Sequence, residues 1–227
     1  MPIITSLAAA VLASAFTGAA APATSSLPPV TITVSASAAV PPTLVKRVLE
    51  ETDAVWRPAG FSFVWRRETD AARARIDAGP CLAPGLRVTI GSGRAADAER
   101  RHENTMALGW IVFDDGQPDS EIYLSYDNAE AYMIDSRGIV GLVDRMPILE
   151  REFLLARVMG RALAHEIGHF LLASKVHTAR GLMMARHTAS EFFGYERSAF
   201  AIDAAQRQAV AARLRRSSAV AALHDVR

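Results

Sequence analysis

The sequence has a single cysteine and almost no excess of charge of either sign. One cysteine among 227 residues excludes an intramolecular disulfide framework and any zinc module built on several thiolates. The 25 Lys and Arg residues against 24 Asp and Glu residues leave a formal net charge of +1. A nucleic-acid-binding domain usually carries a basic footprint, so we expect no nucleic-acid partner. A metal site in this chain must be built from histidine and carboxylate side chains.

Aromatic residues are also few, at 7%, but half of the chain is hydrophobic. That content is enough for a packed core and excludes wholesale disorder. The length fits one domain. Beyond the N-terminus, no segment is apolar over the roughly 20 residues that a membrane span requires.

The N-terminal segment has no charged side chain and is rich in alanine over residues 1–23. It ends in small-x-small patterns typical of a cleavage site, so we predict a signal peptide over 1–23 and a secreted or periplasmic protein. The alternative is an uncleaved membrane anchor. If the signal is cleaved, we expect no stable membrane association. Residues 24–29 are then a linker, 30–216 the domain and 217–227 a C-terminal tail.

Hydrophobic periodicity predicts the order β-α-β-β-β-β-α-α. Alternating apolar residues predict five strands, at 30–34, 61–65, 86–90, 106–113 and 121–126. Apolar residues at helical spacing predict helices at about 42–56, 148–172 and 198–215. Because most strands precede the last two helices, the pattern favours an α+β fold over a doubly wound sheet.

The chemistry is concentrated in the pentapeptide His165-Glu166-Ile167-Gly168-His169, inside the predicted long helix. Residues four apart share a helix face, so His165 and His169 can present two imidazoles to one metal ion. Glu166 points about 100° away and can reach a water on that metal. An H-E-x-x-H pattern on a helix predicts a zinc hydrolase with Glu166 as general base.

A catalytic zinc ion usually has three protein ligands and one open position. His177 follows His169 by eight residues and is the favoured third ligand. Glu191 is the main alternative, because some zinc peptidases take a glutamate from a following helix as third ligand. His187 is a weaker alternative.

The stretch HEIGHFLLASKVHTARGLMMA resembles the active-site region of metzincins, above all the matrixins. Gly181-Leu182-Met183 is similar to their Met-turn, with Met184 as an alternative to Met183. The family motif places Gly at the position of Leu172 and the third His at Lys175. If His177 is the third ligand, this chain has two extra residues in that connection.

The resemblance continues upstream, in order along the chain. Residues 55–56 with Phe63 are similar to the matrixin start, residues 107–110 to the substrate-binding edge strand, and 121–127 to the strand beside it. It implies a zincin-like fold, with a mixed five-stranded sheet packed on the active-site helix and a C-terminal helix after a Met-turn. It also implies a zinc endopeptidase whose peptide or protein substrate lies extended along residues 106–113.

Other readings remain open. The altered spacing after His169 is compatible with a non-catalytic zinc-binding module, and the letters HEIGHFLL also resemble intracellular peptidases that cleave repressors. Tyr195 and Arg186 are candidates for assisting an oxyanion. Cys81 lies within the domain, so it is expected to be an inert buried residue instead of a latency thiol.

Overall fold

A computed structural model describes residues 27–68, 85–91 and 107–224, with side chains up to residue 217. The predicted signal peptide at 1–23, residues 24–26 of the linker, Cys81 and Met106 lie outside the described residues. The predictions made for them stay predictions.

The strands form one mixed five-stranded sheet in the order β2-β1-β3-β5-β4. β1, β2, β3 and β5 run parallel to one another, and β4 pairs antiparallel with β5. β4 is therefore an edge strand. The bounds are Val30–Ala36 (β1), Phe63–Arg67 (β2), Leu86–Gly91 (β3), Gly109–Asp114 (β4) and Gln117–Ser125 (β5).

The long helix was predicted at its observed bounds, Ile148–Leu172, and an α+β fold with a mixed five-stranded sheet is confirmed in general kind. None of the helices among the described residues combines the length and the apolar character needed to cross a membrane. The helices are Pro42–Trp56 (α1), Tyr126–Asp135 (α2), Arg137–Val140 (α3), Ile148–Leu172 (α4), Ala189–Phe193 (α5) and Ala204–His224 (α6).

Helices α1 and α4 pack closely against each other beside the sheet. A side chain at Gly160 of α4 would collide with Glu51 of α1, so glycine is what lets the two helices approach. Buried hydrogen bonds to the α4 backbone also join them: Thr52 Oγ1 donates to the Gly160 carbonyl over 3.0 Å, and Trp56 Nε1 donates to the Ala164 carbonyl over 3.2 Å. This contact fixes α4 under strands β4 and β5.

Several elements differ from the sequence prediction. Helix α2 was not predicted, although Ser125 caps it by accepting a hydrogen bond from the Asn128 backbone N–H at 3.1 Å. Its buried residues, Ala129 and Met133, are too sparse to give a strong periodic signal. The predicted last helix is a 3₁₀ turn at Ser198–Phe200 followed by α6, which continues to His224 because its polar and alanine-rich end still favours a helix.

Candidate metal site

His165 and His169 lie on one face of helix α4, as the spacing predicts. Their Nε2 atoms are 3.0 Å apart, and their rings meet edge to face with centroids 4.6 Å apart. His169 is buried and His165 is largely buried. The helix thus presents two imidazole nitrogens to one point.

Backbone carbonyl groups hold the other nitrogen of each ring. His165 Nδ1 is 2.7 Å from the Leu182 carbonyl oxygen, and His169 Nδ1 is 2.7 Å from that of Ser174. A carbonyl only accepts hydrogen bonds, so this network assigns the proton to Nδ1 in both rings and leaves a lone pair on each Nε2. Two lone pairs 3.0 Å apart repel each other, and a cation between them removes that repulsion.

Burial also keeps both imidazoles neutral. It lowers the pKa of His165 to about 4 and lowers the pKa of His169 as well, in each case against the opposing effect of the backbone hydrogen bond. Metal ligands must be deprotonated, so two neutral imidazoles are ready to coordinate at neutral pH.

His177 joins the pair from the segment that follows α4. One nitrogen from each of His165, His169 and His177 lies within 4.8 Å of the others, so the three side chains could hold a metal ion. The His177 ring stacks on His165, with centroids 5.3 Å apart, and is exposed to solvent. Three imidazole ligands with an open side suit a metal ion that keeps one coordination position free.

The chain reaches His177 by turning at Ala173. This residue ends α4 in the left-handed conformation (φ 48°, ψ 47°), and its backbone N–H donates to the Phe170 carbonyl. Glycine is the usual residue at such a helix end. The turn therefore falls one residue after Leu172, the position where the family motif has glycine, and it is made without glycine.

Glu166 is buried beside the cluster, with 9% of its surface exposed. Burial raises its pKa to about 8, against the opposing effect of a hydrogen bond from the Ile111 backbone N–H. Gly109 of β4 passes so close that a Cβ atom there would lie 3.3 Å from Glu166 Cγ. The carboxylate is thus held between α4 and the edge strand β4.

After His177, the chain turns at Gly181 and packs against the helix that carries His165 and His169. Gly181 has φ +80°, and a Cβ there would be 2.5 Å from the Ala201 carbonyl oxygen, so only glycine fits. Leu182 then donates its backbone N–H to Ala201 and accepts from His165. Met183 is 1% exposed and packs against Gly168. Met184 instead lines the cavity that also contains the three histidines.

The other candidate residues stand apart from the three histidines. The Glu191 carboxylate accepts from the backbone N–H and the hydroxyl of Thr188, closing a capping box at the start of α5. The ring of His187 stacks on Phe200 at 4.2 Å. Tyr195 is 81% exposed and lies under an arginine outside the cluster.

A cavity of about 1070 Å³ opens over the cluster, between β4 and α4. Its wall includes all of β4 and the side chains of His165, Glu166, His169 and His177. Arg186 also lines it. The cavity is large enough for a short extended segment of chain next to an edge strand.

Sequence reasoning missed a buried ionic cluster at one end of this cavity. Arg161 of α4 is fully buried, and its Nε donates to Glu51 over 2.9 Å. Arg197 donates to the same carboxylate, with its Nη2 2.6 Å from Glu51 Oε2. The sequence carries one signal for this cluster. Arg161 lies within the apolar run Val158–Leu163, and a charge buried in such a run needs a partner. The Leu182 and Ser174 carbonyls are backbone groups, which no residue pattern could name.

Comparison with known proteins adds no relative: the chain matches no protein-family model, no curated protein and no solved structure.

Proposed function

We propose that the protein is a zinc-dependent endopeptidase, with His165, His169 and His177 as metal ligands and Glu166 as the catalytic carboxylate. The observation that carries the proposal is the convergence of three imidazole nitrogens within 4.8 Å beside a buried carboxylate, in a cavity walled by an edge strand. Histidine ligands of a metal typically donate their other ring N–H to a carboxylate or a backbone carbonyl, as His165 and His169 do.

Zinc fits this donor set best among common metals, because three neutral imidazoles with an open side make a typical catalytic zinc site. When bound, zinc supplies Lewis acidity, which polarises a peptide carbonyl and lowers the pKa of water. The Leu182 and Ser174 carbonyls orient His165 and His169, so the two Nε2 lone pairs would be free to hold the metal.

Glu166 takes a proton from the attacking water and returns it to the leaving amine. A group with this role works best when its pKa lies near the working pH, and burial raises that of Glu166 to about 8. A nearby dication favours the carboxylate form and moves the pKa down from that value. The hydrogen bond from the Ile111 N–H holds the carboxylate beside β4.

The substrate lies extended along β4. An edge strand has unpaired backbone groups, and an extended peptide can add to it through main-chain hydrogen bonds. β4 borders the same cavity as the metal ligands, so a peptide carbonyl paired with it comes near the cluster. This mode of binding favours unfolded or flexible segments of a protein as substrates.

Two further features support a metzincin-like fold as part of the proposal. The sheet is parallel except for the antiparallel edge strand next to the site, and a methionine packs beneath the histidine helix at Gly168. The proposal also takes residues 1–23 as an export signal, so the enzyme acts in the periplasm or outside the cell.

Substitution of Glu166 tests the proposal. The isosteric change Glu166→Gln should keep the zinc content and lower peptidase activity on an unfolded protein by at least about 10²-fold, because the proton acceptor is lost. Glu150→Gln is the matched control, on the same helix but exposed and outside the cavity, and should keep full activity. Activity that survives Glu166→Gln, or that survives removal of the metal by a chelator, contradicts the proposal.

A further inference from the structure

The buried guanidinium group of Arg161 is close to the metal ligands and has unused hydrogen-bonding capacity. Arg161 precedes His165 by four residues, about 6 Å of rise along the helix, and lines the same cavity. Its Nε donates to Glu51, and its Nη1 donates to the backbone carbonyls of Glu191 and Phe192. Nη2 is buried and has no hydrogen-bond partner among the described residues.

The charges around this group do not balance. Among the described residues, Glu51 is the one anion that acts appreciably on Arg161, and it is shared with Arg197, while Arg157 adds a further positive charge. Two guanidinium groups therefore divide one buried carboxylate and leave an excess positive charge. An unpaired donor on a buried cation is unfavourable, and an anionic partner would satisfy both the donor and the charge.

The neighbouring wall is aromatic. The Phe200 ring centroid is 5.0 Å from the Arg161 guanidinium carbon, and His187 stacks on the other part of this wall at 4.2 Å from Phe200. Phe192 also borders the cavity. Apolar walls lower the local dielectric constant, which strengthens a charge-assisted hydrogen bond. A neutral substrate group in place of the carboxylate would leave the guanidinium charge without a counter-ion, which is unfavourable.

We infer that Arg161 binds a carboxylate of the substrate, one helical turn from the metal ligands, so that the enzyme selects peptides with an acidic group next to the bond it cleaves. The inference rests on the proposed function for its setting, but it concerns binding and can be tested without turnover. The carboxylate has two possible sources: the side chain of Glu or Asp, or the C-terminal carboxylate of a short peptide.

Three alanine-based hexapeptides with a blocked N-terminus separate these sources. The first has one Glu and a C-terminal amide, the second has Gln in its place and an amide, and the third has Gln and a free C-terminal carboxylate. A short peptide can shift its register along β4, so the acidic group can find Arg161 from several positions. Kd is measured by calorimetry on the Glu166→Gln protein, which removes turnover, both with zinc and without metal.

The expected result is binding of the Glu peptide at least about tenfold tighter than the Gln amide peptide, in both metal states. Tenfold tighter binding of the free-acid peptide alone also supports the inference and assigns the C-terminal carboxylate as ligand. Equal affinity of all three peptides overturns it. A preference that exists only with zinc also overturns it, because the carboxylate would then be binding the metal.

Arg161→Met, in the same background, should abolish the preference. Arg157→Met is the matched control: Arg157 lies one turn earlier on α4, donates to the nearby Phe193 carbonyl and does not line the cavity, so the preference should remain. A preference that survives in folded Arg161→Met protein overturns the inference. If Arg161→Met does not fold, the peptide comparison on the parent protein decides alone. Peptidase activity without any acidic preference would reject this inference while leaving the proposed function in place.

Discussion

Met183 packs directly against Gly168, which lies between His165 and His169 on helix α4. A Cβ atom at Gly168 would overlap the Met183 sulfur, so the contact depends on the absence of a side chain. Leu182, next to Met183, accepts the hydrogen bond from His165. The same turn of chain therefore packs against helix α4 and orients the His165 ring.

Gly168→Ala should lower the free energy of unfolding by about 1–3 kcal/mol, because a methyl group forced into a packed contact displaces its neighbours. Chemical denaturation measures this. Gly138→Ala is the control, since a Cβ there meets nothing within 4 Å. In a Met183→Ala background, the effect of Gly168→Ala should largely disappear. An equal loss in both backgrounds would show that Met183 is not the obstacle.

Ala173→Gly should raise the free energy of unfolding by about 0.5–1 kcal/mol. Ala173 is held at φ 48°, where a Cβ is disfavoured and glycine is not. Ala209→Gly serves as the comparison, because Ala209 lies on the exposed part of α6 and glycine inside a helix destabilises by about 1 kcal/mol. Thermal unfolding of the two variants should move in opposite directions. A loss of stability in both would contradict the assigned turn.

Local patterns predicted the elements that carry the site. The helix with His165, Glu166 and His169 was predicted at its observed bounds, because its periodicity runs unbroken to the turn. His177 could be named as a candidate but not placed, since its position depends on a left-handed turn at Ala173 that alanine does not signal.

Long-range contacts could not be predicted in this way. The pairing of Glu51 with Arg161 joins residues 110 apart in the sequence. It depends on how α1 crosses α4, which no local pattern specifies. The carbonyl partners of the histidines were equally hidden, because every residue has a carbonyl group and only the folded backbone selects Leu182 and Ser174.

Glu51→Gln should destabilise the protein by about 3–5 kcal/mol, because it leaves two arginines, one of them fully buried, without their shared anion. Glu50→Gln is the matched control. Its carboxylate is exposed and lies 3.8 Å from Lys46 on the helix surface, so the change should be below about 0.5 kcal/mol. Urea titration of both variants checks the difference, and a similar small effect in both would exclude a structural role for the cluster.

In the metal-free protein, His165 should contribute a loss of stability as the pH falls from about 6.5 to about 4, while Glu166, whose folded-state pKa of about 8 lies above its ordinary value, should contribute an opposing gain. Burial lowers the folded-state pKa of His165 to about 4, below its ordinary value of 6.5, so the unfolded chain takes up a proton first. The contribution of His165 is complete above its unfolded-state pKa, and a loss on the order of 3 kcal/mol accumulates through this window. Denaturation curves at several pH values measure it. Relative to the parent protein, His165→Gln should gain stability as the pH falls through this window, and parallel curves for the two proteins would contradict the assignment.

Metal analysis of the purified protein tests the central claim most directly. We expect one zinc ion per chain, strongly reduced content in His165→Ala, His169→Ala and His177→Ala, and full content in Glu191→Ala, whose carboxylate caps α5 instead. Zinc that is retained in His177→Ala but lost in Glu191→Ala, or no zinc above background in the unmodified protein, would contradict the account.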